Sequence, residues 1–148
     1  QQIASVRGKV QALVPGRTEE FRFDELAGKE KIEKRRGGVV VTLDRTRKNN
    51  AIWEIYMRLR FDQVSGAFAS HLGWMLQNET YLEGSDGVPI PFLGYETTSQ
   101  TNDEIGLAYL FELPEDQQDL QGMIWVYKTP AAIVQLPLAF ELHQIALP

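Results

Sequence analysis

Residues 52–61 read Ile-Trp-Glu-Ile-Tyr-Met-Arg-Leu-Arg-Phe, and this stretch decides the fold class. Its large apolar side chains occupy every second position, while Tyr56 and the charged side chains occupy the positions between them. A strand places alternate side chains on opposite faces, whereas a helix would scatter the apolar residues around its axis. The stretch therefore predicts an antiparallel strand with one buried and one solvated face.

Alternation with a period of two recurs along the rest of the chain. Further strands are predicted at 6–14, 20–26, 38–47, 74–82, 104–113, 123–127 and 136–146. Residues 6–14 and 20–26 are predicted to pair around a turn at Pro15-Gly16, because these residue types favour turns. Residues 123–127 are apolar on both faces, which indicates a central strand. About eight to ten short strands separated by turns are typical of a sandwich or barrel, and we predict an all-β, antiparallel β-sandwich.

The chain is predicted to be one domain, residues 1–148, because it contains no linker, repeat or low-complexity segment. One short helix is predicted at 65–72, with Ser65 as its N-cap. The absence of cysteine excludes disulfides, thiolate zinc sites and a cysteine nucleophile. No apolar run reaches the roughly 18 residues of a membrane span, so none is expected. The start at Gln1 rather than Met suggests a chain trimmed by processing or by excision from a longer protein.

Charge is distributed unevenly between the two halves of the sequence. Residues 1–60 contain 14 Lys/Arg and 8 Asp/Glu, whereas residues 61–148 contain 1 and 12. One interpretation is that strands of the two halves pair, so that their charges complement each other. The other is a molecule with a basic and an acidic face, which would favour self-association or a charged partner.

The sequence contains no recognisable catalytic or cofactor-binding motif. His71 is adjacent to Ser70, which is the wrong relation for a nucleophile and its base, and His143 falls on the polar side of the last strand. Neither histidine belongs to a metal-binding motif, and no phosphate-binding loop is present. We therefore predict no catalytic, cofactor-binding or metal-ligating residue. A hydrolase that uses carboxylates, with His71 or His143 as helper, is kept as an alternative.

Two charged regions are candidate binding sites, one for calcium and one for a polyanion. Asp86, Asp103 and Glu104 lie in polar turns that resemble calcium-binding loops, but the pattern of an EF-hand loop is missing. The segment 29–36, together with Arg45, Arg47 and Lys48, contains 8 of the 15 Lys/Arg. The strands that contain these residues are predicted to form a hairpin around Gly37-Gly38. The cations of this ribbon alternate with acids and no aromatic residue accompanies them, so no nucleic-acid binding is expected.

Four aromatic residues are candidates for facing a ligand. Tyr56 lies on a polar strand face, Tyr81 and Tyr95 flank turns, and Trp74 opens a predicted strand. Exposed aromatic rings on a β-sandwich can stack on sugars, so a carbohydrate-binding module is a second alternative. Trp53 and Trp125 share the parity of inward residues and are assigned to the core.

A family resemblance is carried by four stretches: residues 53–61, Phe68-Ala69-Ser70-His71 with Trp74, Tyr109-Leu110-Phe111, and the stretch from Tyr127-Lys128-Thr129-Pro130 to Leu147-Pro148. Their pattern looks like that of immunoglobulin-like β-sandwich modules of bacterial exported proteins, over roughly the last two-thirds of the chain. The resemblance implies a sandwich that is immunoglobulin-like in the broad sense, without the Cys…Trp…Cys signature of antibody domains. It also implies a secreted, periplasmic or cell-envelope location, and it transfers no functional residue.

These observations favour a non-catalytic binding or protein-interaction module of a secreted or cell-envelope protein. Its partner would be another protein or a polysaccharide, and the split charge makes self-association compatible with the sequence.

Overall fold

The computed structural model describes residues 2–14, 16–28, 31–62, 75–132 and 134–146. Within these ranges the chain forms eleven strands. They are β1 Gln2–Val14, β2 Arg17–Phe23, β3 Ile32–Arg36, β4 Val39–Asn49, β5 Ile52–Phe61, β6 Thr80–Glu83, β7 Pro89–Pro91, β8 Gly94–Gln100, β9 Glu104–Glu112, β10 Ile124–Ala131 and β11 Val134–Ala146. The helix predicted at 65–72 lies outside the described residues.

The strands form three antiparallel sheets. One sheet has the order β2-β10-β6-β7, a second has the order β3-β4-β5-β9-β8, and β1 pairs only with β11 in a two-stranded ribbon. The four-stranded and five-stranded sheets enclose a common core, which confirms the predicted antiparallel β-sandwich.

The core lies between the inner faces of these two sheets. Strand β5 contributes alternate side chains as its sequence predicts, with Ile55, Met57 and Leu59 fully buried and Trp53 half-buried. From the facing sheet, Trp125 stacks on Phe23 with 5.1 Å between ring centroids. Strand β10 is central in its sheet, between β2 and β6, as the apolar run 123–127 predicts.

The hairpin of the basic segment also forms as predicted. Strands β3 and β4 pair on either side of Gly37-Gly38, which both have a positive φ, of 57° and 77°. Positive φ at both central residues matches the right-handed twist of a hairpin and favours glycine there.

The predicted pairing of 6–14 with 20–26 is wrong. Instead β1 pairs with β11 along its whole length, and β2 pairs with β10. The register is continuous between the two strand pairs, since Val14 lies opposite Val134 and Arg17 lies opposite Ala131. The chain does not reverse at Gly16, because the backbone N–H of Gly16 donates to the carbonyl of Ala131 at 3.2 Å on the neighbouring strand. The β1–β11 ribbon therefore prolongs the β2–β10 pair beyond the sandwich.

Candidate interaction surface

The β1–β11 ribbon has one apolar face. Because residues directly opposite each other in a strand pair point to the same side, five successive pairs share this face. The pairs are Val6 with Leu142, Gly8 with Phe140, Val10 with Leu138, Ala12 with Leu136, and Val14 with Val134. We call this surface the apolar strip. Alternation within residues 136–146 predicts a shared face for Leu136, Leu138, Phe140 and Leu142, and the register of the ribbon confirms it.

The apolar strip is exposed rather than buried in the core. Its seven largest exposed side chains each retain between 42% and 52% of their accessible surface: Val10, Val14, Val134, Leu136, Leu138, Phe140 and Leu142. Among the side chains that the structure describes, none of those buried in the core comes from β1 or β11. Single exposed apolar residues are common, whereas a contiguous exposed apolar strip is a candidate interaction surface.

The Phe140 ring lies across the strip over Gly8. A Cβ atom added at Gly8 would collide with this ring, so glycine is required for the close approach. An aromatic ring that covers a glycine on the neighbouring strand shields exposed backbone and fixes the register of the pair. The centre of the ribbon is thus locally ordered by its own side chains.

The opposite face of the ribbon carries its charged side chains, together with Ala139, Pro137 and the Ile3–Ile145 pair at its end. Arg7 Nε lies 2.6 Å from Glu141 Oε1, and His143 Nε2 lies 3.6 Å from the same oxygen. Lys9 and Gln11 share this face and are exposed. Because Arg7 is largely exposed, its ion pair stabilises the ribbon by only about 0–1 kcal/mol. The ribbon is therefore amphipathic across its two faces.

The predicted ligand-facing tyrosines lie on separate surfaces. Tyr56 lies on the outer face of the five-stranded sheet, where the Arg45 guanidinium covers its ring at 4.3 Å. Tyr81 lies on β6 of the other sheet, with Lys128 Nζ at 5.4 Å from its ring centroid. Tyr95, on the edge strand β8, is 39% exposed and packs edge-on against Tyr109. The structure therefore brings no two of these three tyrosines together. Trp74 and His71 lie outside the described residues.

Two β-bulges shape a small polar pocket beside Tyr56. The extra residues, Asp44 in β4 and Thr98 in β8, interrupt the ladders at the same level of the sheet. Both line the pocket together with Arg58, whose Nε lies 2.9 Å from Asp44 Oδ2 and whose Nη1 lies 3.4 Å from Glu104 Oε2. Sequence reasoning missed this pocket, because alternation does not reveal where a ladder gains a residue.

The acidic turns are occupied by their own hydrogen bonds. Asp86 Oδ1 accepts from the backbone N–H of Val88 at 3.1 Å, and Asp103 Oδ1 accepts from the Thr101 hydroxyl at 2.9 Å. Within the described residues, no three His, Cys, Asp or Glu side chains lie close enough together to bind a metal ion. The same residues include no helix long and apolar enough to cross a bilayer.

Among the described residues, the charges of the two halves of the sequence complement each other at four places. Ion pairs join Arg7 to Glu141, Arg22 to Glu83, Arg35 to Asp62, and Arg58 to Glu104. The basic hairpin also has partners, since Lys48 Nζ donates to the carbonyl of Gln118 at 2.9 Å. Part of the excess positive charge of residues 1–60 is therefore paired with negative charge of residues 61–148.

A buried polar cluster fixes β6 against β10. Asn78 Nδ2 donates to the Tyr127 hydroxyl at 2.8 Å, and Trp125 Nε1 donates to Thr80 Oγ1 at 2.7 Å. Burial raises the pKa of Tyr127 to about 12, and burial also raises the pKa of Tyr109. Both phenols therefore stay neutral at physiological pH and act as packing groups.

Comparison of the chain with protein-family models, with curated proteins and with solved structures gives no significant match. The resemblance to immunoglobulin-like exported modules thus stays a prediction, and the functional argument depends on the geometry above.

Proposed function

We propose that this chain is a non-catalytic protein-interaction module, and that the apolar strip of the β1–β11 ribbon is its interaction surface. The observation that supports the proposal is the amphipathic ribbon itself. An isolated two-stranded ribbon is marginally stable in water, and this one exposes its apolar face. Such a face is stabilised when another surface covers it.

The size of the strip is sufficient to matter energetically. Full burial of one Val, Leu or Phe side chain contributes roughly 1.5–3 kcal/mol. Covering seven side chains that are about half exposed is thus worth roughly 5–10 kcal/mol, before the entropic cost of association is subtracted. The separate polar face of the ribbon would remain in water in such a complex.

The proposal keeps the secreted or cell-envelope setting that the resemblance implies. The carbohydrate-binding and hydrolase alternatives gain no comparable support. Tyr56 has one ring face covered by Arg45, and His143 lies on the exposed polar face of the ribbon. Neither alternative is served by a surface as extensive as the apolar strip.

The test replaces the strip without touching the sandwich. In dilute protein, the triple variant Leu136→Ser, Leu138→Ser, Leu142→Ser should bind less of the apolar dye ANS than the wild type. Its thermal midpoint should stay within about 4 °C of the wild type, because none of the described core side chains comes from the ribbon. The matched control Lys9→Ser, Gln11→Ser, Gln135→Ser changes the polar face and should leave dye binding unchanged. A much larger loss of midpoint in the first variant would make the strip part of the fold and would contradict the proposal.

A further inference from the structure

We propose that the apolar strip is covered by the same strip of a second copy of this chain, around a two-fold axis parallel to the ribbon. This inference depends on the proposed function and adds the identity of the partner. It comes from the shape of the strip, from its lack of charge and from the edge of β11.

The strip consists of a low column and a high column of side chains. The column on β1 is formed by small side chains: Val6, Gly8, Val10, Ala12 and Val14. The column on β11 is formed mostly by large ones: Leu142, Phe140, Leu138, Leu136 and Val134. The face therefore has a ridge along β11 and a shallow groove along β1, interrupted only where Phe140 leans over Gly8.

Two symmetric arrangements place two such faces together. A two-fold axis across the ribbon puts β11 on β11 and β1 on β1, so that ridge meets ridge and a gap remains between the grooves. An axis parallel to the ribbon puts β11 of each copy on β1 of the other, so that Leu136 faces Ala12 of the second copy. Interfaces need close packing of this complementary kind, which favours the parallel axis.

Charge also favours a copy of the same strip. Neither strand places a Lys, Arg, Asp or Glu on this face, since Arg7, Lys9 and Glu141 all have the opposite parity. Two strips can therefore meet without burying an unpaired charge, which would be costly. The charged faces of both ribbons would point outward into water.

Pairing through the edge of the ribbon would not achieve the same result. Pro137 pairs with Gln11. Proline has no N–H and is found in edge strands with its nitrogen turned away from the paired strand, so it deprives an added strand of a donor. Adding a strand at either edge would also leave the apolar face uncovered. Packing face to face is thus the arrangement that covers the strip.

The area of the strip predicts a reversible dimer. The strip spans residues 6–14 and 134–142, and nine residues per strand at about 3.3 Å each, with about 4.8 Å of width per strand, give a face of roughly 290 Å2 per copy. This is about a third of the roughly 800 Å2 per partner found in standard stable interfaces. We therefore expect monomer and dimer to exchange with protein concentration.

Sedimentation equilibrium over a wide concentration range tests the inference. The wild type should rise from the mass of one chain toward that of two. Ala12→Leu fills the groove that receives Leu136 of the second copy, so it should weaken dimerisation at least tenfold. The control Gln11→Leu adds the same side chain to the polar face and should leave the dissociation constant unchanged, and both variants should keep the thermal midpoint of dilute wild type.

The outcomes separate the two proposals. A wild type that stays monomeric at every concentration overturns the inference that a second copy covers the strip. The dye and stability experiment above still decides whether the strip is an interaction surface. Tighter dimerisation of Ala12→Leu would indicate that groove faces groove, and it would overturn the parallel axis. Assemblies larger than a dimer would overturn it as well.

Discussion

Glu54 shows how one side chain depends on its strand and on its neighbours. Among the residues that the structure describes, it is the only charged residue in the buried class, with 7% of its surface exposed. The Tyr56 hydroxyl donates to the Oε2 atom of Glu54 at 2.7 Å, and Asn49 and Arg47 donate to its Oε1 atom. These hydrogen bonds, that of Tyr56 above all, hold the pKa of Glu54 below the ordinary value of 4.5.

A lowered pKa makes Glu54 a pH-dependent stabiliser. Its carboxylate contributes stability above the ordinary pKa of 4.5, and this contribution is lost as the pH falls through the lower pKa of the folded state. We therefore expect Glu54→Gln to be less stable than the wild type near neutral pH, with a gap that closes as the pH falls below 4.5. Urea unfolding at a series of pH values measures this gap.

The control for this prediction is Glu96→Gln, which removes an exposed carboxylate from β8. Its difference from the wild type should be small over the same pH range. A gap for Glu54→Gln that stays constant from neutral to acidic pH would show that the carboxylate charge contributes nothing.

The environment of Tyr56 was only partly predictable from the sequence. Tyr56 and Glu54 lie two residues apart on one strand, so their shared face follows from alternation. The position of Arg45 above the ring does not, because it depends on the bulge at Asp44, which shifts the register of β4. A long-range register shift leaves no mark in a local pattern.

At the scale of elements, the sequence predicted strands better than their partners. The alternation at 52–61 and the two-faced run at 123–127 became β5 and β10, and the Gly37-Gly38 hairpin formed as expected. The error concerned β1 and β2, which look like a hairpin because they are adjacent and separated by turn residues. Alternation determines which residues share a face, but an amphipathic strand reads the same whether the chain's core or another molecule covers it.

The β3–β4 hairpin provides a test at this scale. Gly37→Ala should destabilise the protein by about 1–2 kcal/mol, because a side chain is strained in the left-handed region. The added Cβ would also lie only 3.0 Å from the Cβ of Ala131. The matched variant Gly94→Ala has open space around its Cβ and should change stability by less than about 1 kcal/mol. Urea unfolding of both variants checks this, and equal effects would contradict the role assigned to the turn.

At the scale of the whole molecule, a sandwich whose described core contains no side chain of β1 or β11 bears a ribbon with an exposed apolar face. The ribbon keeps the register of the β2–β10 pair but presents its apolar residues outside the core. The same alternation that predicted the fold therefore also produces the apolar strip that we propose as the interaction surface. What the sequence alone could not reveal is that this one amphipathic pair extends beyond the sandwich.

Amide hydrogen exchange as a function of protein concentration tests the central claim most directly. If the apolar strip is an interaction surface that a second copy covers, the amides of β1 and β11 should exchange rapidly in dilute protein and slow down as the concentration rises. Those of the central strands β5, β9 and β10 should be strongly protected throughout. Protection of β1 and β11 that equals that of the core strands and does not change with concentration would contradict the claim, because the ribbon would then be stabilised within a single chain.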